Sequence, residues 1–233
     1  MSTELRLPRR VWLFDLDNTL HDASHAAFGG VNEGMNRYIV ERLGLPEADA
    51  AELRHLYFRR YGATLLGLVR HHGVDAAHFL RETHVLPGLE ADVRGHAHDL
   101  AALRRLPGRK ILLTNAPIAY VRRVLGVLGL ARFFERIVSI EQMAMFGHLR
   151  PKPDDRMLRR LAARLRVAPT HCVLVEDSLD NLRSARRVGM GTVWMQRWTR
   201  GATWGFAKAM RVHAIPGYVD RRVLHLQALT RLP

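Results

Sequence analysis

The chain has 233 residues, of which 48% are hydrophobic and 25% are charged, which is ordinary usage for a folded globular protein. This length fits one large domain, or one domain that carries a smaller insert. No apolar run approaches the roughly 20 residues of a membrane span, and the basic segment 1–10 leads into a strand too short for a secretory signal. We therefore expect a cytoplasmic protein with no membrane partner.

The net charge of +14 raises the question of a nucleic-acid partner, because lysine and arginine neutralise phosphates. Nearly all of this charge is arginine scattered along predicted helices, and the only lysines are Lys110, Lys152 and Lys208. No zinc-binding, helix-turn-helix or aromatic-interleaved pattern accompanies the charge. The sequence therefore does not favour a dedicated nucleic-acid module, and a field that attracts small anionic substrates is equally compatible with the charge.

The first predicted element is a buried strand, Val11 to Phe14, which runs directly into Asp15 and Asp17. Side chains alternate along a strand, so the two carboxylates leave the same side and repel each other unless a cation lies between them. Mg²⁺ is the usual hard cation that oxygen ligands hold. The alternative is a strand-end turn in which Asp17 or Asn18 caps the next segment, but this would explain only one acidic residue.

Residues 22–95 are predicted to form a helical insert. Five apolar residues at helical spacing make the face of its first helix: Phe28, Val31, Met35, Tyr38 and Ile39. Gly44 ends that helix, Pro46 suits the first turn of the next one, and further helices are predicted over 64–71 and 76–83 before a turn at 85–88. An insert that enters at the carboxyl edge of the first strand would lie over the crevice where open parallel sheets bind ligands, as a lid.

Strands and helices alternate after the insert, which predicts an α/β fold with a Rossmann-like parallel sheet. The predicted strands are 110–114, 137–140, 172–176, 192–195 and 218–223, and the predicted helices are 117–128, 155–165 and 179–188. Cys172 lies in one of these apolar strands, so we expect a buried structural thiol. The predicted domains are an α/β core of residues 1–21 and 96–233 and a helical cap of residues 22–95.

Polar residues also follow the later strands, at the edge where the parallel strands should end together. Thr114-Asn115 follows the second strand, Glu176-Asp177-Ser178 follows the fourth, and Arg150-Pro151-Lys152-Pro153 lies between them with one lysine fixed by two prolines. Taken singly, each segment is equally explained as a helix cap, a salt-bridge partner or a solvated loop. Taken together, they predict a site for phosphate and Mg²⁺.

These motifs, in this order, resemble the haloacid dehalogenase-like hydrolase superfamily over most of residues 10–195. The resemblance rests on Asp15-x-Asp17-Asn18-Thr19-Leu20, Thr114-Asn115, Pro151-Lys152-Pro153, and Glu176-Asp177-Ser178 with Asn181. Within the superfamily, the segments 61–68 (YGATLLGL), 106–110 (LPGRK) and 114–116 (TNA) look like the pyrimidine 5'-nucleotidase branch.

The resemblance implies a role for each site residue. Asp15 would be the nucleophile that becomes an aspartyl phosphate, and Asp17 would protonate the leaving oxygen and then activate water. Lys152 would neutralise the charge of the phosphate and of the nucleophile. Thr114 and Asn115 would bind the phosphate. Mg²⁺ would be bound by Asp15, the backbone carbonyl of Asp17, Asp177 and Glu176.

The expected function is therefore Mg²⁺-dependent hydrolysis of a small phosphomonoester, with a pyrimidine nucleoside 5'-monophosphate as the preferred candidate. A phosphatase or phosphomutase acting on a sugar phosphate or on phosphoglycolate stays open, as does a basic nucleic-acid-binding protein that retains the fold. Dehalogenases of the superfamily lack an acid at the position of Asp17. Substrate choice is assigned to the insert, where the candidates are Arg59, Arg60, Tyr61 and His72.

Two features depart from the branch pattern. His21 stands where the branch often has tyrosine, so the segment beside the site is expected to contact substrate differently. Residues 199–217, including Trp204 and Phe206, match no motif, and a surface loop and a homodimer contact are both open for them.

Overall fold

The computed structural model describes residues 10–198 and 214–231. Six parallel strands form its main sheet, in the order β3-β2-β1-β6-β7-β8. The strands of this sheet are β1 (Val11–Phe14), β2 (Arg109–Leu113), β3 (Arg136–Val138), β6 (Cys172–Glu176), β7 (Gly191–Met195) and β8 (Arg221–Val223). A short antiparallel hairpin consists of β4 (Ala144–Met145) and β5 (His148–Leu149). The predicted parallel α/β sheet is confirmed.

Helices fill the intervals between the strands. Six lie within residues 22–95: α1 (Ala23–Ala26), α2 (Phe28–Leu43), α3 (Glu47–Tyr61), α4 (Thr64–His72), α5 (Ala76–Thr83) and α6 (Leu89–Asp92). The remaining helices are α7 (Ala97–Arg105), α8 (Ile118–Leu128), α9 (Asp155–Arg164) and α10 (Leu179–Val188), with 3-10 turns at Ala131–Phe133, Ile140–Gln142, Pro169–His171 and Leu226–Arg231. None of these helices, within the described ranges, is long and apolar enough to cross a membrane.

Two apolar clusters cover the two faces of the sheet. One contains Trp12 and Phe14 together with the buried side of α8, and the other contains Val11 and Leu13 together with apolar residues of α9 and α10. Strand β1 is buried on both faces, as a central strand of a parallel sheet requires. Cys172 is buried and unpaired in the second cluster, which confirms the expected structural thiol.

The insert after β1 is helical, as predicted: residues 22–95 are all described, and they contain helices and turns but no strand. A third apolar cluster holds α2 to α5 together, and Ile140 from the sheet domain joins it. In contrast, Leu86, Leu89 and Val93 pack into the core cluster around Trp12. The domain boundaries at residues 21 and 95 stay a prediction.

Several predicted boundaries were wrong by one to three residues. The second strand begins and ends one residue earlier than predicted, at Arg109–Leu113. The third is Arg136–Val138 instead of 137–140, because the chain turns at Ser139 into a 3-10 helix. The last is Arg221–Val223 instead of 218–223, because the Val219 amide donates to the Pro216 carbonyl and closes a turn there. Pro46 is the N-cap of α3 and not its first residue.

Several elements were not predicted. Among them are the short helices α1 and α6, helix α7 after the insert, and the β4–β5 hairpin after β3. Trp204 and Phe206, for which a surface loop and a dimer contact stay open, lie outside the described residues.

Candidate active site

The register of the central strands brings the predicted site residues to one edge of the sheet. Strand β1 lies between β2 and β6, with Phe14 aligned to Leu112 on one side and to Val175 on the other. The next residue on β1 is Asp15, whose amide donates to the Val175 carbonyl at 3.0 Å. Asp15, Thr114 and Glu176 therefore leave three neighbouring strands at the same carboxyl edge.

Lys152 occupies the centre of this edge, with a side chain that is only 2% exposed. Its Nζ donates to Asp15 Oδ1 and to Glu176 Oε2, each at 2.7 Å. Burial alone would lower the pKa of Lys152, but the two carboxylates outweigh burial and raise that pKa, so the ammonium stays charged. An ammonium has three protons, which leaves one to donate to a phosphoryl oxygen.

Asn115 fixes the backbone of Lys152. The Asn115 Nδ2 donates to the Lys152 carbonyl, and the Lys152 amide donates to Asn115 Oδ1, both at 2.9 Å. The predicted contact between Asn115 and phosphate stays a prediction, since this side-chain amide is already paired with the lysine backbone. Thr114 is buried, and its hydroxyl accepts from the Ala116 amide at 3.0 Å, so its own proton can donate to an anion.

Three carboxylates at the edge form the one cluster within the described residues that could hold a metal ion. Asp15, Glu176 and Asp177 each offer an oxygen, and these oxygens lie within 4.8 Å of one another. Burial, the charge of Glu176 and the charge of Asp17 raise the pKa of Asp15 to about 7, although Lys152 opposes the shift. The same causes, burial first and then Glu176 and Asp15, raise the pKa of Asp177 well above its ordinary value.

This donor set fits Mg²⁺. All its donors are carboxylate oxygens, which hard divalent cations prefer, and the raised pKa values record the repulsion that a bound cation would relieve. Glu176 also accepts from Lys152 and, at 3.2 Å, from the Ser178 amide, yet each of its oxygens retains a lone pair. The Asp17 carboxylate is not part of this cluster. The predicted binding of Mg²⁺ by the Asp17 backbone carbonyl stays a prediction.

Asp17 lies in a separate hydrogen-bonded group on the insert side of β1. Its Oδ1 accepts from the Tyr120 hydroxyl at 2.8 Å and lies 2.9 Å from His21 Nε2. Burial and the neighbouring Asp17 charge raise the pKa of Tyr120, so the phenol stays a donor. The ring of His21 is fully buried and pairs with Asp17, and the expected change in how this segment contacts substrate stays a prediction.

Tyr120 and His84 are site residues that the sequence did not reveal. Tyr120 is on the buried face of α8, four residues before Val124, and a buried aromatic ring at this spacing is indistinguishable from ordinary core in a single sequence. His84 comes from the end of α5, and its ring packs edge-on against Tyr120 at 5.9 Å between centroids.

Three of the four candidate specificity residues, Arg60, Tyr61 and His72, pair with other residues of the insert. The Tyr61 hydroxyl lies 2.6 Å from His71 Nε2, and the Arg60 guanidinium lies 5.6 Å from the Tyr61 ring centroid. His72 pairs with the Tyr57 hydroxyl at 2.8 Å. The insert does reach the lysine segment nearby, because a Cβ on Gly62 would lie 3.0 Å from Pro153 Cδ.

Several proteins similar in sequence to this chain are named as phosphatases or as a nucleotidase. A phosphoglycolate phosphatase of Xanthomonas campestris is 29% identical over 212 residues, covering 87% of this chain and 86% of that protein. A 5'-nucleotidase of Pseudomonas aeruginosa is 27% identical over 215 residues, covering 86% of each. A plasmid-borne phosphoglycolate phosphatase of Cupriavidus necator is 31% identical across 69% of this chain, but the chain spans only 58% of its length.

Solved structures share the fold at lower identity. The crystal structure of CbbY from Rhodobacter sphaeroides in complex with phosphate superposes with a TM-score of 0.62 at 21% identity, covering 95% of this chain and 96% of that one. An L-2-haloacid dehalogenase superposes with a TM-score of 0.58 at 20% identity, covering 96% and 98%. Finally, the family model described as "haloacid dehalogenase-like hydrolase" matches residues 10–189. The chain belongs to the haloacid dehalogenase-like hydrolases.

Proposed function

We propose that the protein is a Mg²⁺-dependent phosphatase that hydrolyses a small phosphomonoester through an aspartyl phosphate on Asp15. The observation that carries this proposal is the buried contact of Lys152 with Asp15 at 2.7 Å, beside two further carboxylates. An anionic nucleophile attacks an anionic phosphate only where positive charge offsets the repulsion of both. Lys152 supplies one such charge, and the acidic cluster supplies the place for a second.

In the proposed first step, a carboxylate oxygen of Asp15 attacks phosphorus and the P–O bond to the alcohol breaks. Lys152 keeps Asp15 oriented and offers its third proton to a phosphoryl oxygen, while Thr114 donates its hydroxyl proton to another. Asp17 gives its proton to the departing alcohol oxygen. Asp17 is two residues beyond the nucleophile on the same strand end, and 20% of its side chain is exposed, so it is reachable from solvent.

In the second step, Asp17 accepts a proton from water as that water attacks the phosphorus of the aspartyl phosphate. Inorganic phosphate leaves and Asp15 returns to its carboxylate form. The proton that Asp17 takes from water replaces the one that it gave to the alcohol, so Asp17 ends the cycle as it began. Mg²⁺, held by Asp15, Asp177 and Glu176 and by the backbone carbonyl of Asp17, would neutralise charge on the phosphoryl oxygens.

Asp17 favours phosphate-ester hydrolysis over dehalogenation. Similarity to a solved dehalogenase at 20% identity concerns the fold alone. A halide leaves as an anion and requires no proton, whereas an alkoxide leaving group does. An acid supported by Tyr120 and His21 at this position therefore fits an ester substrate.

The preferred substrate is a pyrimidine nucleoside 5'-monophosphate. The insert motif at 61–68 supports this choice, as does the 5'-nucleotidase among the relatives. Two relatives named phosphoglycolate phosphatases support phosphoglycolate as the second candidate. A sugar phosphate is the third, with a phosphatase or a phosphomutase reaction.

A substrate panel tests the proposal. Purified protein with Mg²⁺ is assayed for phosphate release from UMP, CMP, AMP, phosphoglycolate and fructose 1-phosphate, alongside Asp15→Asn. We expect the highest kcat/KM with UMP or CMP, and a loss of at least about a thousandfold in the variant. Equal rates with AMP would reject the pyrimidine preference, and substantial turnover by a folded Asp15→Asn protein would reject the mechanism.

A further inference from the structure

The Asp17 carboxylate is held from two sides by buried rings. The Tyr120 hydroxyl donates to Asp17 Oδ1 at 2.8 Å, and His21 Nε2 lies 2.9 Å from the same oxygen. His21 is fully buried and Tyr120 is 3% exposed, whereas the Asp17 side chain is 20% exposed. The two rings are therefore buried in the protein, whereas the Asp17 carboxylate that they contact is partly exposed to solvent.

The two rings come from different elements, and each is fixed by its own surroundings. His21 is four residues after Asp17, beyond a turn in which the Leu20 amide donates to the Leu16 carbonyl at 2.9 Å and Asn18 adopts φ +55°. Asn18 Oδ1 accepts from the Ser24 amide at 3.0 Å, which ties this turn to α1. Tyr120 belongs to α8, directly after the Thr114-Asn115 strand end.

The hydrogen bonds also determine the tautomer of His21. A carboxylate only accepts, so His21 must donate to Asp17 from Nε2. Nδ1 is then the bare nitrogen, and within the described residues it is buried and has no hydrogen-bond partner. A proton at Nδ1 would bury an N–H with no acceptor, so the Nε2–H form fits the site.

We propose that His21 and Tyr120 are positioning residues that hold the Asp17 carboxylate in one orientation for proton transfer to the leaving oxygen. With two donors on Oδ1, the plane of the carboxylate is fixed, and Oδ2 is the oxygen that carries the transferred proton. While Asp17 is ionised, these hydrogen bonds are charge-assisted and about twice as strong as neutral ones, so two of them hold a short side chain firmly. This inference rests on the proposed phosphatase function.

The dependence of the rate on the leaving group of the substrate distinguishes a residue that positions Asp17 for proton transfer from one with a merely structural role. p-Nitrophenyl phosphate releases a stable phenolate that departs without an acid, whereas an alkyl phosphate requires protonation of its leaving oxygen. The quantity to compare is kcat/KM, because it covers the steps up to departure of the alcohol and excludes the later hydrolysis of the aspartyl phosphate. The variants are Tyr120→Phe, His21→Leu and His21→Gln, the last of which retains an N–H donor.

The matched control is Tyr38→Phe, which removes a buried phenol hydroxyl that lies 3.1 Å from His78 Nδ1 within the insert. We expect Tyr120→Phe and His21→Leu to lower kcat/KM for the best alkyl ester by about tenfold and for p-nitrophenyl phosphate by less than about twofold. His21→Gln should recover part of the loss, and Tyr38→Phe should change neither value. Equal losses on both esters would overturn the inference.

A second measurement is independent of turnover. Nitrogen-15 NMR of the metal-free protein should show His21 protonated at Nε2 and bare at Nδ1, and Tyr120→Phe should shift the Nε2 signal while Tyr38→Phe does not. A His21 protonated at Nδ1 alone would overturn the inference. If the wild-type protein hydrolyses neither ester, the proposed function fails, and the NMR result still decides whether His21 holds Asp17.

Discussion

Polar side chains are paired in different ways at the carboxyl edge of the sheet and in the helical insert. At the edge, residues far apart in sequence meet in the interior: Lys152 bonds to Asp15 across 137 positions and to Glu176 across 24. In the insert, Arg54 bonds to Asn32 and Asn36 on the adjacent helix, and its contacts are partly exposed. The edge is thus a single charged network that the sheet register builds, and the insert is a separate set of local pairs.

Under the proposed function, the edge carries the chemistry and the insert sets the specificity. Changes in the buried edge network leave charges unpaired and alter every reaction step, so they should be costly for any substrate. Changes in the insert disturb local pairs and should alter which substrate is accepted. The following predictions test this division, beginning with the largest expected effect.

Replacing Lys152 with Met should damage both activity and stability. Three carboxylates would then share the edge with no cation, and removing one partner of a buried ion pair costs about 3–5 kcal/mol. We expect kcat/KM to fall by about a hundredfold or more, with a lower Tm. Lys110→Met is the control, since the one hydrogen bond of its Nζ to the part of the chain that the structure describes is a long 3.4 Å contact with the Gly108 carbonyl. Wild-type activity in a folded Lys152→Met protein would contradict this account of the edge.

Replacing Asn115 with Ala should have a smaller effect of the same kind. Both hydrogen bonds to the Lys152 backbone would be lost, so the lysine would move and kcat would fall by about tenfold. Denaturant unfolding should show a loss of about 1–2 kcal/mol. Asn36→Ala is the matched control, because it removes an amide that accepts from Arg54 within the insert. A rise in KM alone, with unchanged stability, would indicate that Asn115 only holds phosphate.

The edge should also make stability depend on pH in the metal-free protein. The folded pKa of Asp15 is about 7, above its ordinary 3.8, so folding favours the protonated form. This contribution is fully present below about pH 4 and is lost as the pH rises through about 7. We expect Tm to fall by several degrees between pH 5 and pH 8, and Mg²⁺ to restore it at pH 8. An identical slope in Asp15→Asn would show that other groups cause the dependence.

Replacing Arg54 with Met should have the smallest effect on chemistry. The variant loses hydrogen bonds to Asn32 and Asn36 at 2.8–2.9 Å, so the insert should be destabilised by about 1–2 kcal/mol. Hydrolysis of p-nitrophenyl phosphate should stay within about twofold, while the ranking of esters in the panel changes. Arg81→Met, at an exposed position on α5, is the control. A tenfold loss with p-nitrophenyl phosphate would remove the distinction between edge and insert.

The candidate site at the carboxyl edge was predictable from sequence because parallel strands end together. Asp15, Thr114 and Glu176 each follow a run of apolar residues, and those runs are the three central strands. Lys152 contacts the carboxylates of Asp15 and Glu176 at this edge. The helical insert was predictable from local signals. Glycine ends a helix readily in the left-handed conformation, as at Gly44 with φ +67°.

The misses have physical causes as well. The β4–β5 hairpin turns through Phe146 and Gly147, both at positive φ, and a phenylalanine at such a position gives none of the usual turn signal. The hydrogen bond from Tyr120 to Asp17 joins residues 103 positions apart, so it depends on tertiary packing of α8 that no local pattern encodes. Specificity is harder still, because the insert bonds mainly within itself.

The central claim is that Asp15 carries the phosphoryl group. Protein mixed with its best substrate and Mg²⁺ can be quenched in acid and reduced with borohydride, which converts an aspartyl phosphate to homoserine, and the peptides then analysed by mass spectrometry. The account predicts homoserine at residue 15 in the presence of substrate and none without it. Turnover with an unmodified residue 15, or homoserine at Asp17 or Asp177 instead, would contradict it.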